Sequence, residues 1–374
     1  MTLPERVIAM TQTAVDRMEL REYDLPQVPI DGAILKMEAA GVCGSDVSSF
    51  AAFGGTSGPR ILGHENVGRI YQIGEGARRL WGLEEGDLVA LEEYLACHQC
   101  DWCHKGEFRH CLYTDPKYNK DFLRYGSTPI SRDPALWGGF SQYLYMPFSS
   151  VWHRVPASVP VSEASLHIAL GNGNQWACVA GGVTAGSSVL IQGPGQMGVA
   201  CVVASKNVGA DQIIVSGLSS DADRFEICKQ LGADHLVDVE QEDLREKVMD
   251  LTNGRGVDAV IDTTSHSAGT EPTLIGIDVT KRRGGTIVVQ GGFTFESFPM
   301  TELSQKDITL RQARGHSWHS VERGLQMMAT HKYPVHLMHT HDFKLSEADE
   351  AVRATGGKMV DSNRALHVSV LPWT

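Results

Sequence analysis

The stretch VLIQGPGQMG, residues 189–198, decides the fold of this chain. An apolar strand pattern at residues 189–191 runs into Gly193, Gly195 and Gly198, and a helix pattern follows directly. In a G-x-G-x-x-G turn the first glycine permits the tight turn, the second lets backbone approach a pyrophosphate, and the third packs the helix on the strand. The N-terminus of that helix faces the phosphates. The stretch therefore predicts a dinucleotide-binding turn that uses these three glycines.

The region around this turn alternates strands with helices. From about residue 185, strand patterns such as DQIIVSG, HLVDV and GGTIVVQGG are separated by the helical patterns DADRFEICKQLGA and EDLREKVMDLTNG. Such alternation implies a parallel sheet with right-handed crossovers. Residues 1 to about 155 differ, because AILKMEAAG, NVGRIYQIG and DLVALE are typical of short strands between turns. We therefore expect an α/β protein in which a mainly β domain accompanies a doubly wound parallel sheet.

The end of the chain is expected to return to the first domain. After about residue 316 it carries a helical stretch, SVERGLQMMATHKY, and a last strand, ALHVSVL, which are too few for a domain of their own. The predicted organisation is a mainly β domain made of residues 1–157 and 317–374, with a nucleotide-binding domain at residues 158–316. A length of 374 residues suits two domains.

The composition excludes several classes of partner. Thirty-three Lys and Arg against 45 Asp and Glu give a formal net charge of −12, which repels a nucleic-acid backbone. No stretch approaches the roughly 20 apolar residues that span a bilayer, and the start, MTLPERVIAM, lacks the apolar core of a signal peptide. We expect a cytoplasmic protein that binds neither nucleic acid nor membrane. Thiols stay reduced in that compartment, so the eight cysteines indicate metal rather than disulfides.

Four cysteines lie in one loop with the spacing C-x2-C-x2-C-x7-C, namely Cys97, Cys100, Cys103 and Cys111. Four thiolates complete a tetrahedral Zn²⁺ site with no open position, which favours a structural role. An iron–sulfur cluster uses similar spacing, but the proline that usually follows its last ligand is Leu112 here. A nucleic-acid-binding zinc finger is disfavoured by the acidic chain. The loop therefore predicts a structural zinc site.

Two shorter motifs carry a different set of ligands. GVCGSD contains Cys43, Ser45 and Asp46, and GHEN contains His64 and Glu65. A thiolate, an imidazole and a carboxylate form the mixed ligand set of a catalytic zinc, which keeps a position for water or substrate. A single cysteine or histidine is more often part of a core. Together with the four-cysteine loop and the glycine turn, however, these motifs indicate a second metal site.

The strand after the glycine turn bears on the choice of cofactor. An NAD enzyme places Asp or Glu about 20 residues after the motif to hold the ribose 2′-hydroxyl. Here that strand ends in Ser216 and Gly217, and the carboxylate is missing. These small residues, with Ser219 and Arg224 nearby, leave room and donors for a 2′-phosphate and favour NADP. NAD stays open as the alternative because Asp221 lies in the same loop.

GVCGSD, GHE, the four-cysteine loop and GPGQMG have the order and spacing of the zinc-dependent medium-chain alcohol dehydrogenases. The chain resembles this superfamily over nearly its whole length, and most closely its sorbitol and threonine dehydrogenase members. The resemblance implies a groES-like, mainly β catalytic domain, a Rossmann domain for the nicotinamide cofactor, and a homodimer or homotetramer. It also implies that Cys43 and His64 bind a catalytic zinc, Ser45 relays the alcohol proton and Asp46 orients His64. The four-cysteine loop would hold the structural zinc.

One position departs from the family pattern at the catalytic metal. The third zinc ligand, usually Glu or Cys, falls at Ala169. Its neighbours His167, Asn172 and Asn174 are poor replacements, because an amide binds zinc weakly and a histidine in an apolar stretch is more often core. We expect Glu65 to complete the site together with water. The alternative is a weakly occupied or metal-free site.

These features predict a zinc-dependent oxidoreductase that transfers a hydride between a secondary alcohol or ketone and a nicotinamide cofactor. Ser48 stands where the family often has a histidine, so the proton is expected to leave through the cofactor ribose and water. Ser45 is expected to be a relay rather than a nucleophile, because the sequence shows no Ser-His-Asp arrangement. The alternatives are a zinc-poor NADPH reductase of quinone or enone type, which Ala169 favours, and an inactive nucleotide sensor. Two zinc ions per chain would support the dehydrogenase and one the reductase.

Overall fold

The computed structural model describes residues 6–53, 58–291, 294–358 and 365–374. It divides into two compact units, one made of Met1–Ile168 and His339–Thr374 and the other of Ala169–Met338. The strands are β1 (Arg6–Ala14), β2 (Arg17–Asp24), β3 (Ala33–Gly41), β4 (Arg60–Ile61), β5 (Glu65–Ile73), β6 (Leu88–Leu95), β7 (Tyr143–Met146), β8 (Ser150–Arg154), β9 (Ser188–Gln192), β10 (Gln212–Gly217), β11 (His235–Asp238), β12 (Ala259–Asp262), β13 (Thr286–Val289), β14 (Thr309–Gln312), β15 (His339–Lys344) and β16 (His367–Leu371). The helices are α1 (Gly44–Ala51), α2 (Glu75–Trp81), α3 (Asp101–His104), α4 (Val161–Ala164), α5 (His167–Gly173), α6 (Gln196–Val208), α7 (Ala222–Leu231), α8 (Leu244–Leu251), α9 (Glu271–Val279), α10 (Met300–Lys306), α11 (Trp318–Ala329) and α12 (Ala348–Thr355). Among the described residues, no helix is both long enough and apolar enough to cross a bilayer.

The second unit is built on a parallel sheet. Its described strands follow the order β11-β10-β9-β12-β13-β14, which counts as 3-2-1-4-5-6 from β9 and is the order of the doubly wound dinucleotide-binding fold. Every residue of β9 is buried, and β12 is buried throughout as well. Because both faces of such a sheet are covered, its strands have unbroken runs of apolar residues in the sequence. The predicted Rossmann sheet is confirmed.

The first unit is mainly β, as the sequence predicts. One sheet follows the order β15-β16-β3-β5-β6-β8, with β7 also paired to β3, and a small sheet follows the order β2-β1-β4. The central strand β3 is almost wholly buried, whereas the edge strand β2 alternates between exposed and half-buried residues. Register pairs Gly41, at the end of β3, with Glu65 at the start of β5 and with Ser369 in β16. The end of β3, the start of β5 and the middle of β16 therefore meet where the motifs GVCGSD and GHEN begin.

The division into units differs from the predicted boundaries at residues 157/158 and 316/317. Helix α11 lies in the second unit and buries Val321, Leu325 and Met328 there. Just before it, the hydroxyl of Ser317 donates to Gln175 Oε1 at 2.9 Å. The chain returns to the first unit only at His339. The amphipathic pattern of α11 predicts that one face is covered, but many apolar surfaces could cover it, so the pattern does not identify the unit.

Candidate functional site

The structure brings together the residues of GVCGSD and GHEN. Cys43 caps the N-terminus of α1, Ser45 and Asp46 lie in its first turn, and His64 and Glu65 lie at the start of β5. Ligand atoms of Cys43, His64 and Glu65 all lie within 4.8 Å of one another. Two ligands at about 2.0–2.3 Å from one tetrahedral Zn²⁺ are themselves about 3.3–3.8 Å apart. A bound of 4.8 Å is about 1 Å wider than this, so small side-chain movements would bring the three groups to one ion.

Asp46 ties the two halves of this cluster together. Its Oδ2 accepts a hydrogen bond from the backbone N–H of Cys43 at 3.0 Å, and its Oδ1 lies 3.2 Å from Nδ1 of His64. The side chain of Asp46 is only 2% exposed. A histidine that donates from Nδ1 to a carboxylate presents the lone pair of Nε2 to a metal. The predicted orienting role of Asp46 toward His64 thus has the contact it needs.

The charge balance at His64 suits a cation. Burial lowers the pKa of His64, but the charge and hydrogen bond of Asp46 and the neighbouring Cys43 outweigh burial and raise the pKa well above its usual value. The negative groups of the cluster therefore surround a buried imidazole and favour a positive charge on it. A Zn²⁺ ion on Nε2 would offset that charge in place of a proton.

Ser45, His64 and Asp46 also form a hydrogen-bonded series that the sequence did not reveal. Ser45 Oγ lies 3.2 Å from His64 Nε2, and His64 Nδ1 lies 3.2 Å from Asp46 Oδ1. The expectation that no Ser-His-Asp arrangement accompanies Ser45 is wrong, because the turn at Cys43 folds Ser45 and Asp46 onto opposite sides of one imidazole. A metal on Nε2 occupies the lone pair that a general base needs. The same histidine therefore cannot hold a metal and activate Ser45 at once.

The residues around the expected third ligand have other contacts. Ala169 is fully buried in α5 and offers no ligand atom. Both ring nitrogens of His167 lie within 3.0 Å of backbone carbonyl oxygens. The amides of Asn172 and Asn174 are hydrogen-bonded to side chains of the second unit. Glu65, which is fully buried, is the carboxylate whose ligand atom groups with those of Cys43 and His64.

The four-cysteine loop forms a second cluster. All four sulfur atoms lie within 4.8 Å of one another. Cys103 Sγ lies 3.8 Å from Cys97 Sγ and 3.5 Å from Cys100 Sγ, and all of these cysteines are free. Sulfurs placed tetrahedrally at about 2.3 Å from Zn²⁺ are about 3.8 Å apart, whereas a disulfide needs about 2.0 Å. The Cys103 distances fit a shared zinc ion and are too long for a disulfide.

Local turns and local charges explain this cluster. Helix α3 places Cys103 one turn after Cys100, and the 3₁₀ turn Phe108–His110 brings Cys111 back to the others. Burial raises the pKa of the Cys103 and Cys111 thiols. Burial acts on Cys97 in the same direction, but the backbone amides of Gln99 and Cys100 outweigh it and lower the pKa of Cys97 to about 7. Several thiolates can form this close together only when a cation compensates their charge, so the donor set fits zinc.

The glycine turn joins β9 to α6 at the centre of the parallel sheet. Gly193 has a φ of +91°, which favours glycine. A Cβ on Gly198 would lie 2.0 Å from the carbonyl oxygen of Gly193. Among the described residues, no atom beyond its chain neighbours lies within 4 Å of the place where a Cβ on Gly195 would be, and Gly195 is the N-cap of α6. The turn is thus closed on the helix side and open at Gly195, where a pyrophosphate can approach the helix N-terminus.

The end of β10 is the position that bears on cofactor choice. Ser216 is buried, and a Cβ on Gly217 would already lie 2.8 Å from the ring of Pro194. Arg224 lies 3.7 Å from Asp221, and its side chain is 19% exposed. The structure therefore places the predicted 2′-phosphate donor Arg224 beside a carboxylate.

Two further carboxylates lie at the same place and were not identified from the sequence. The hydroxyl of Ser219 donates to Asp238 Oδ2 at 2.6 Å, and its backbone N–H donates to Glu240 Oε2 at 2.9 Å. Asp238 pairs with Gly217 across the parallel strands β10 and β11. In the sequence, only the expected strand order could have indicated that Asp238 lies near Gly217, because β11 lies beside β10 in a doubly wound sheet.

Comparisons with known proteins bear on the family and the fold. Residues 30–157 match the model of the alcohol dehydrogenase GroES-like domain, and residues 197–330 match that of the zinc-binding dehydrogenase. A Mycobacterium tuberculosis protein named "Probable alcohol dehydrogenase adh" is 30% identical over 357 residues, which cover 94% of this chain and 95% of the relative. An L-threonine 3-dehydrogenase of Pyrococcus horikoshii is 29% identical, covering 92% of this chain and 97% of its own. The crystal structure of an alcohol dehydrogenase from Thermotoga maritima has a TM-score of 0.85 at 24% identity, covering 98% of this chain and 99% of the other. The groES-like character of the first unit is confirmed.

Proposed function

Because the chain belongs to the zinc-dependent medium-chain alcohol dehydrogenases and is an oxidoreductase acting on alcohols, we propose that it interconverts a secondary alcohol and its ketone. Within this family it lies on the side of the sorbitol and threonine dehydrogenases. The hydride is exchanged with a nicotinamide cofactor. The reaction takes place at the cluster of Cys43, His64 and Glu65. The observation that carries this proposal is the convergence of these three ligand types within 4.8 Å, beside a buried Asp46 that orients His64.

The catalytic cluster fits zinc by its donor chemistry. Cys43, His64 and Glu65 supply a thiolate, an imidazole and a carboxylate, which is a ligand set of catalytic zinc sites with an open position. When bound, zinc supplies a Lewis acid that lowers the pKa of a coordinated alcohol. Asp46 keeps the Nε2 lone pair of His64 directed to the cluster by holding Nδ1–H.

Ser45 moves the proton. Its Oγ lies 3.2 Å from His64 Nε2 and its residue is exposed, so it adjoins the cluster on one side and water on the other. In alcohol oxidation Ser45 Oγ accepts the hydroxyl proton and passes its own proton outward to the cofactor ribose or water. Ser48 is exposed in the same helix and offers no second imidazole to this path.

The four-cysteine loop is proposed to hold a structural zinc through Cys97, Cys100, Cys103 and Cys111. The ion would join a loop that has little regular structure, because α3 is a single turn and the remaining turns are 3₁₀. Its contribution is to folding rather than to the reaction.

The nicotinamide cofactor is proposed to bind along Gly193, Gly195 and Gly198. We propose NADP, because Gly217 leaves the 2′ position without the carboxylate of an NAD site. NAD is the second candidate, and Asp238 with Glu240 is the observation that favours it, since their charges oppose a 2′-phosphate. The ratio of kcat/KM for the two cofactors decides between them.

Metal content and turnover test the proposed function together. We expect two zinc ions per chain and oxidation of secondary or cyclic alcohols. The Cys43→Ala variant should lose turnover and one zinc ion while keeping the other. Cys178→Ala is the matched control, because Cys178 lies outside both clusters. One zinc per wild-type chain with reduction of enones would support the zinc-poor reductase. Dinucleotide binding without any turnover would support a nucleotide sensor.

The remaining expectations stay proposals of the same kind. The groES-like catalytic domain and the nicotinamide-binding domain are proposed to be separate folding units, the protein to be cytoplasmic, and the assembly to be a homodimer or homotetramer. Differential scanning calorimetry, cell fractionation and light scattering measure these three properties.

A further inference from the structure

A buried arginine holds the end of helix α1 that lies opposite to Cys43. Arg60 is only 7% exposed. Its Nη2 donates to the backbone carbonyl oxygens of Ser49 at 2.9 Å and of Ala52 at 3.0 Å. The last carbonyl groups of a helix have no partner within the helix, and they carry a partial negative charge. The Arg60 guanidinium therefore supplies both a donor and a positive charge at the C-terminus of α1.

A glutamine from β1 holds Arg60 in this position. Gln12 is fully buried, and its Oε1 accepts a hydrogen bond from Arg60 Nε at 3.0 Å. Its Nε2 donates to the carbonyl oxygens of Ser49 and Phe50, each at 3.0 Å. Register pairs Gln12 with Arg60 across β1 and β4. The two side chains thus form one buried cap, which attaches the C-terminus of α1 to two strands of the small sheet.

The first turn of α1 is attached to the same segment of chain, residues 60–64. Asp46 Oδ1 accepts a hydrogen bond from the backbone N–H of Gly63 at 3.4 Å and lies 3.2 Å from His64 Nδ1. Helix α1 is about 12 Å long, and residues 60–64 span at most about 14 Å. The helix and this segment therefore lie side by side in opposite directions and are joined at both ends.

This double attachment determines where two of the proposed metal ligands lie. Cys43 is the N-cap of α1, and His64 is the last residue of the segment that begins at Arg60. A shift of α1 along its axis would move Cys43 relative to His64. Asp46 opposes such a shift at one end of the helix, and the cap formed by Arg60 and its glutamine partner opposes it at the other.

We propose that Arg60 is a positioning residue for the catalytic metal: together with Gln12 it fixes α1 against residues 60–64 and so sets the position of Cys43 relative to His64. This inference rests on the proposed function, since it presumes a metal at that cluster. Removing a group that holds a metal ligand in place commonly lowers metal affinity about 10–100-fold. Arg60 acts through the helix and not on a ligand atom, so we expect an effect at the lower end of that range.

The test measures metal binding rather than turnover alone. Arg60→Met keeps an unbranched, largely apolar side chain and removes the donors. We expect the affinity of the catalytic zinc to fall about tenfold in competition with a chromogenic chelator, while the zinc of the four-cysteine loop stays bound. Cobalt(II) placed in the catalytic cluster should show shifted d–d bands, because Cys43 moves relative to His64. Arg60→Lys, whose ammonium can still donate to the carbonyl oxygens, should recover part of the affinity.

A matched control separates metal positioning from a general loss of stability. Lys306 also caps a helix, since its ammonium donates to three carbonyl oxygens at the end of α9 in the second unit. Lys306→Met removes that cap and should lower Tm without changing the affinity of the catalytic zinc. Gln12→Met removes the partner of Arg60 and should weaken zinc binding in the same direction as Arg60→Met. It also supplies the measurement, together with Arg60→Lys, if Arg60→Met does not fold.

The outcomes are distinguishable from those of the proposed function. If the wild-type chain binds only one zinc ion, the proposed function fails and this inference fails with it. If the wild type binds two, and folded Arg60→Met or Gln12→Met keeps the wild-type zinc affinity and cobalt spectrum, only this inference is overturned. An equal loss of affinity in Lys306→Met also overturns it, because the effect would then be one of stability.

Discussion

Replacing glycine by alanine should have different effects at two positions of the dinucleotide-binding turn: it should lower stability at Gly198 and weaken cofactor binding at Gly195. In Gly198→Ala the new Cβ would lie 2.0 Å from the Gly193 carbonyl oxygen and 2.9 Å from Thr263 Oγ1. Real Cβ atoms do not approach closer than 3.0 Å. The turn and α6 must therefore move apart by about 1 Å. The obstructing atom belongs to the backbone, so no change of rotamer relieves the overlap.

The expected loss of stability follows from this displacement. Overpacking costs up to about 3 kcal/mol, and a backbone overlap of this size belongs at the upper end. The higher helix propensity of alanine returns about 1 kcal/mol. The free energy of unfolding should fall by about 2 kcal/mol. For a domain of this size that lowers Tm by about 4–8 °C.

Gly195→Ala is the matched variant. Gly195 has φ −75° and ψ 176°, which alanine adopts, and in the described part of the chain only its neighbours in sequence come within 4 Å of the new Cβ. Its Tm should equal that of the wild type. The methyl group would occupy the space that the pyrophosphate needs, so the Kd for the cofactor should rise about tenfold or more, or about 1.4 kcal/mol.

The assay is thermal unfolding without cofactor, followed by titration with NADPH or NADH and detection by nicotinamide fluorescence. Wild-type cofactor binding by Gly195→Ala would show that the dinucleotide does not lie over this turn. A wild-type Tm for Gly198→Ala would refute the packing argument.

Further predictions concern the metal clusters and the cofactor. Asp46→Asn should weaken the catalytic zinc about 10–100-fold in chelator competition, because the imidazole of His64 loses its charged partner; unchanged affinity would contradict that role. Cys103→Ser should lose one zinc ion per chain and lower Tm, whereas wild type stripped by a chelator should regain its Tm when zinc is restored. A stripped chain with an unchanged Tm would argue against a structural ion. Asp238→Asn should raise kcat/KM for NADPH relative to NADH about fivefold, since removing a carboxylate near a phosphate changes their interaction by about 1 kcal/mol. An unchanged ratio would exclude Asp238 from cofactor selection.

The parts of the site that the sequence predicted are those with short connections. The four cysteines lie within one loop, and α3 with two 3₁₀ turns is enough to bring their sulfur atoms together. The glycine turn is similar, because a strand, a turn and a helix in direct succession leave one arrangement of Gly193 and Gly198. In both cases the motif and its geometry are local, so the pattern of residues carries the structure.

The parts that the sequence did not predict depend on how distant elements are placed. Asp238 reaches Ser219 because β11 lies beside β10, and His367 reaches Glu65 because β16 lies beside β3, where Gly41 leaves a gap. Helix α11 joins the second unit although its pattern fits either unit. One apolar strand or amphipathic helix has much the same residue pattern as another. Which elements pack or pair with each other is therefore determined by strand order and register and not by the pattern.

The sequence by itself determined the kind of fold, the two sets of metal-binding groups and the dinucleotide-binding turn, since each is encoded by residue types at short, characteristic spacings. It also showed that the usual ligand is replaced by Ala169. Only the tertiary structure decided what surrounds Glu65 and Ser219. Those surroundings come from strands far apart in the chain, where strand order and register, rather than local spacing, determine which charges meet.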